Sequence, residues 1–174
     1  RSAQRRSTRL ALETLEDRLV PAIYGLPWPN AQQLTLSFVP DGTQVTGQPS
    51  ELFRALDARM PTEEWQQAVL RAVQTWAAKA NINVAVVPDD GQPMGTGGLS
   101  HHDSRFGDIR IAARAMAADA LAISVPHDPF LSGTWSGDII VNSADPFIGS
   151  KADLYTVMLH EVGHVLGLDE NSDA

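Results

Sequence analysis

Two histidines four residues apart, with a glutamate between them, constrain this chain more than anything else in it: His160-Glu161-Val162-Gly163-His164. On an α-helix, positions i and i+4 lie about 40° apart around the axis, so both imidazoles leave one face, one turn apart. At that separation two ring nitrogens can reach one zinc ion at about 2.0–2.1 Å. Glu161 stands about 100° round from His160. There its carboxylate can take a proton from water on the metal without itself being a ligand. The flanking residues carry the helix: Leu154, Val157, Met158, Val162, Val165 and Leu166 form an apolar stripe from Ala152 onward. In a chain with five histidines, chance produces this pattern in fewer than about 1% of cases.

Gly167 is placed to end that helix, since glycine takes positive φ freely. The chain then turns, and a residue three positions on can return to the metal. That residue is Glu170, with Asp169 beside it, and either carboxylate can ligate zinc. Two histidines and one carboxylate leave a fourth position for water, as a catalytic zinc requires. The other three histidines offer less. His101-His102-Asp103 in a loop could bind a metal, but adjacent loop histidines are more often simply solvated, and His127-Asp128, between two prolines, makes a weaker metal site still. No G-x-S-x-G elbow occurs. Asp89-Asp90-Gly91 reads as a turn, because the later oxygen ligands of a calcium loop are missing.

Composition removes whole classes of function. The chain has no cysteine, which excludes a disulfide scaffold, a thiolate metal site and a cysteine nucleophile together. It has no run of 18 apolar residues, so no membrane span is expected. Net charge is −8 over 174 residues. Five arginines make residues 1–18 basic, so the remainder is more acidic still. Such a body has no general attraction for phosphate backbones, and no nucleic-acid partner is expected.

The order of elements follows from periodicity. Residues 8–20 read as a short amphipathic helix stopped by Pro21, and 24–30, with Pro27 and Pro29 around Trp28, as a linker. Residues 34–39 alternate as a strand, Asp41-Gly42 marks a turn, and Ser50 is placed to cap a helix over 51–59. Pro61, Thr62, Glu63 and Glu64 open the clearest helix, on which Trp65, Ala68, Val69, Ala72, Val73, Trp76, Ala77 and Ala80 make one continuous apolar face. Strands are expected at 82–87, 108–112, 121–125 and 138–142, with a Gly/Pro/Asp-rich loop at 88–104. Strands alternating loosely with two long helices imply an α/β (α+β) fold around a twisted mixed sheet.

The stretch HEVGHVLGLDE resembles the extended zinc motif of the metzincin metallopeptidases, H-E-x-x-H-x-x-G-x-x-H, and most closely its matrixin branch. The likeness extends upstream through LTLSFVP, QTWAAKANINVAVV, GDIRI, LAISVP and GDIIVN in the family's order, over roughly residues 27–170. It implies a twisted, mostly parallel five-stranded sheet, with the helix from Thr62 behind it and the helix from Ala152 under the cleft. It implies zinc (Zn2+) held by His160, His164 and Glu170, with Glu161 as general base. Residues 121–126 match the family's edge strand, so Leu121, Ala122, Ile123 and Ser124 would lie against an extended peptide.

The sequence departs from that pattern at definite places. Glu170 replaces the family's third histidine, and Asp169, one residue too early, should point away. The family's structural-zinc histidines correspond to Ile123 and Ile140, and residues 112–120 are short for its calcium- and zinc-binding loop. The last methionine is Met158, so the chain reads as ending at Ala174 before the family's methionine turn. The cysteine of latent matrixin precursors is absent. Residues 12–22, LETLEDRLVPA, resemble a motif on exported or surface-bound proteins of some bacteria, which implies a secreted or cell-envelope destination. The resulting expectation is a monomeric zinc endopeptidase acting on extended protein or peptide substrates, with an export-type segment at 1–26 and the catalytic domain at 27–174. The rival reading is a non-catalytic exported binding module with a degenerate metal site. The substituted third ligand favours the rival; the intact Glu161 argues against it.

Overall fold

The structure is a computed structural model and describes residues 24–145 and 151–169. The helix expected at 8–20, the export-type motif and Glu170 lie outside the described residues. The elements in chain order are β1 (Leu34–Phe38), β2 (Gln44–Val45), β3 (Gln48–Pro49), α1 (Leu52–Asp57), α2 (Thr62–Ala80), β4 (Val84–Val86), β5 (Ile109–Arg114), β6 (Ala122–Ser124), α3 (Pro129–Ser132), β7 (Ile139–Asn142) and α4 (Lys151–Val165), with 3-10 turns at Ala31–Gln33 and Gly133–Trp135. Five strands form one sheet in the order β4-β1-β5-β7-β6, and β2 and β3 form a small antiparallel hairpin. Every pairing in the large sheet is parallel except that of β6 with β7. This is the mostly parallel five-stranded sheet with two long helices that the sequence implies.

Alternation along the strands sorts side chains to two faces. Leu34, Leu36, Ile109, Ile111, Ala113, Ile139 and Val141 join the helices in the main core. Ala112 and Ile140 point the other way, into a smaller cluster with Val39, Val45 and Met94. The helical face of α2 buries Trp65, Ala68, Val69, Ala72 and Val73, as its spacing predicts. Trp65 is fully buried, with Phe38 and Phe53 edge-on at 5.2 Å each. Burying side chains of this size contributes about 1.5–3 kcal/mol each.

Helix α4 packs on α2, and two details fix how closely. The indole Nε1 of Trp76 donates to the carbonyl of Leu159 at 2.8 Å, just before His160. A Cβ on Gly163 would stand 3.2 Å from the Trp76 ring, so the glycine inside the motif lets the helices approach.

Two local expectations are corrected. Ser50 does not cap α1: its hydroxyl is buried without a hydrogen-bond partner. The cap comes from Asp41, whose carboxylate accepts from the backbone N–H of Phe53 and of Arg54, both at 2.9 Å. Residues 24–28 are not a loose linker either. Tyr24 N–H donates to Gly167 O at 2.9 Å, Leu26 N–H to His127 O at 2.6 Å, and Trp28 Nε1 to Val165 O at 2.9 Å. The segment ties the end of α4 to the loop after β6.

Candidate active site

Gly167 ends α4 as expected, at φ +97°. Two hydrogen bonds close the end: Leu168 N–H to Gly163 O at 3.0 Å and Gly167 N–H to His164 O at 2.9 Å. This pair is the Schellman arrangement, in which a left-handed residue folds the chain back over the last turn. Folding back brings the carbonyl of Leu168 to 2.7 Å from Nδ1 of His164. A carbonyl can only accept, so Nδ1 carries the proton and the lone pair of His164 sits on Nε2. The turn thus sets the tautomer that a metal-ligating histidine needs.

His164 Nε2 lies 3.0 Å from His160 Nε2, with the ring centroids 4.5 Å apart and the planes at 86°. Two nitrogens bound to one tetrahedral zinc at the usual bond lengths stand about 3.3 Å apart, so a few tenths of an ångström of opening accommodates the ion. The donor set and its spacing fit zinc. His160 is exposed and His164 partly exposed, whereas Glu161 is buried. Its carboxylate accepts a 2.6 Å hydrogen bond from the hydroxyl of Ser124 on β6. That contact restricts the rotation of Glu161 and leaves Oε1 for a second partner.

All of this opens on one cavity of about 490 Å³, whose wall includes His160, Glu161, His164, Ala122, Ile123 and Ser124. A neighbouring cavity of about 620 Å³ extends along the other side of Glu161 past Leu121 and Thr156. β6 is the last strand of the sheet, bonded to β7 on one side only. The structure therefore brings His160, Glu161 and His164 together with Leu121, Ala122, Ile123 and Ser124. Asp169, expected to point away, also lines the first cavity, and so does Tyr24. Ile123 and Ile140 face each other across the β6–β7 pair.

The sequence did not disclose Ser124 as the partner of Glu161, or Trp28 and Trp76 as the anchors of α4. All three contacts join residues 37 or more positions apart, and no local pattern marks them. Nor are the other histidines simply solvated. His127 is buried, stacked on Trp28 at 4.0 Å, and donates from Nδ1 to Leu26 O at 3.1 Å. Burial pushes its imidazole below the usual range, and the Leu26 carbonyl opposes that. Beside His101 and His102, the sequence neighbour Asp103 is taken by Arg105, which binds it at 2.8 Å through both Nε and Nη2. That guanidinium holds the Asp103 carboxyl well below the ordinary carboxylate range. The carboxylate that reaches the two histidines is Asp108, just before β5.

No family model matches the sequence, and no curated protein is significantly similar to it. Among solved structures, the chain is similar to that of myroilysin, with 19% sequence identity and a TM-score of 0.47. The match covers 82% of this chain and 50% of that one, so the chain spans about half the length of the structure it matches.

Proposed function

We propose that the chain forms a zinc-dependent endopeptidase that hydrolyses peptide bonds of extracellular or envelope proteins. The observation that carries the reading is the facing pair of Nε2 atoms, 3.0 Å apart, with the buried carboxylate of Glu161 in the same cavity and an edge strand along its wall. His160 and His164 would hold the zinc, with Glu170 as the third ligand. When bound, zinc supplies a Lewis acid that polarises a peptide carbonyl and makes water acidic enough to attack near neutral pH.

The rest is the work of the chain. An extended substrate adds to the outer edge of β6, where backbone hydrogen bonds set its register. Leu168 O keeps the proton of His164 on Nδ1, so that Nε2 stays a donor of electrons. Glu161 takes a proton from the attacking water and passes it to the leaving amine, which is general acid–base catalysis by one group in turn. Ser124 holds Oε2 of Glu161, so Oε1 is the oxygen left for the proton transfer.

Removal of metal tests this. Chelation should abolish cleavage of an unfolded protein substrate, and one equivalent of zinc restored to the proposed site should recover it. A zinc-loaded chain that cleaves no unfolded protein would instead favour the non-catalytic binding module.

A further inference from the structure

The structure assigns a second metal site, away from the α4 cleft, to His101, His102 and Asp108, and the chemistry of its donors selects a divalent transition ion of the zinc type. One ligand atom from each of the three lies within 4.8 Å of those of the others. Sequence places the two histidines side by side in the loop between β4 and β5. Adjacent side chains ordinarily diverge. Here His102 adopts φ +57°, and the two rings come to 3.8 Å between centroids.

His101 is the residue that asks for an ion. Its Nδ1 lies 3.0 Å from Oδ1 of Asp108. Yet both ring nitrogens are buried and neither makes a hydrogen bond. Burying an imidazole in that condition costs free energy, and buried polar atoms of folded chains are almost always satisfied. A cation bound by one ring nitrogen and by the carboxylate supplies one of the two missing partners. Asp108 is already set for the role. Its side chain is fully buried, Oδ2 accepts from the backbone N–H and hydroxyl of Thr35 at 2.8 and 2.9 Å, and Oδ1 accepts from the N–H of His102 at 2.6 Å. Hydrogen bonds of this kind orient a metal-binding carboxylate before the ion arrives.

Two imidazoles and one carboxylate suit zinc and its neighbours in the first transition row; calcium and magnesium prefer all-oxygen sets. An ion has a way in, because His102 is exposed and lines a cavity of about 380 Å³ that also carries Asp89, Asp90 and Asp103. Water from that cavity completes the coordination. The ion would fasten the loop after β4 to the head of β5 and, through Thr35, to β1. This site does not depend on the proposed peptidase activity, and its metal would be structural.

The test counts zinc with the α4 site removed. The variant His160→Ala/His164→Ala, saturated with zinc and freed of excess by gel filtration, should retain about one equivalent by elemental analysis. Zinc at 100 times its dissociation constant should raise the melting temperature of that variant by roughly 5–10 °C. Adding His102→Asn should remove both the equivalent and the shift; asparagine tolerates the left-handed backbone, and the position is exposed, so the fold is kept. Should the double variant not fold, the otherwise unmutated chain should fall from two equivalents to one on His102→Asn alone. Zinc content and melting shift that are unchanged by His102→Asn, or no zinc in the folded double variant, would overturn the assignment.

Discussion

The hydroxyl of Ser124 on β6 links that strand to the carboxylate of Glu161, the proposed base, at 2.6 Å. A hydrogen bond to a charged acceptor contributes about 1.5–3 kcal/mol. Ser124→Ala should therefore lower kcat by about tenfold or somewhat more, with KM and zinc content little changed; steady-state kinetics on a peptide substrate checks this. Glu170→Ala should weaken zinc binding markedly and Asp169→Ala should not, as a competitive zinc titration reads directly. The opposite order would make Asp169, which lines the cavity, the third ligand. The facing of His160 and His164 was legible from the sequence because helical spacing places both on one face of α4, with Glu161 about 100° round from His160; the structure lines one cavity with all three. Ser124 as partner of Glu161 was not legible, because it arrives from another element. Asp108 was hidden for a similar reason: Asp103 is nearer to the histidines in sequence, but Arg105 claims it.

Among the elements, the end of α4 carries the most consequence. Gly167 sits at φ +97°, and a Cβ there would meet Tyr24 O at 3.3 Å. Gly167→Ala should destabilise the fold by about 1–2 kcal/mol, since the left-handed backbone costs other residues that much. It should also displace Leu168 O from His164 and reduce zinc affinity by about 10–100-fold, the usual effect of losing such an outer partner. Thermal melting and zinc titration of one variant test both halves. Strands and long helices were legible because period 2 and period 3.6 each persist over enough residues. Ser50 reads as the cap of α1 because serine precedes the helix; the carboxylate that accepts the capping hydrogen bonds, Asp41, sits in a turn a dozen residues earlier. The hairpin β2–β3 has only two residues per strand, too few to show a period.

At the scale of the whole molecule, two buried groups give stability opposite dependences on pH. His127 has its imidazole lowered by burial, so the unfolded chain binds the proton more readily. Its contribution to stability is present above the ordinary histidine value of about 6.5 and is lost as pH falls below it. Asp138 is buried with neither carboxylate oxygen hydrogen-bonded, and burial raises it well above 3.8, against the pull of Arg110. The folded state keeps that proton longer than the unfolded state does, so stability is lost as pH rises from 3.8 towards the raised value. Asp138→Asn should accordingly raise the melting temperature at pH 8 and change it little at pH 3.5. Calorimetry at the two values distinguishes this from a uniform shift. Neither residue advertised its burial in the sequence: His127 sits beside a proline in what reads as loop, and Asp138 beside a glycine at the very start of an expected strand.

In the proposed reaction Glu161 acts on water beside a zinc that His160 and His164 would hold. Glu161→Gln is nearly isosteric, keeps the hydrogen-bonding reach to Ser124, and removes only the capacity to take a proton. With zinc content matched to the unmutated chain by elemental analysis, cleavage of an unfolded protein, read as new termini by mass spectrometry, should fall by about 10²-fold or more. Cleavage at the unmutated rate by a zinc-matched Glu161→Gln chain would rule out Glu161 as the base.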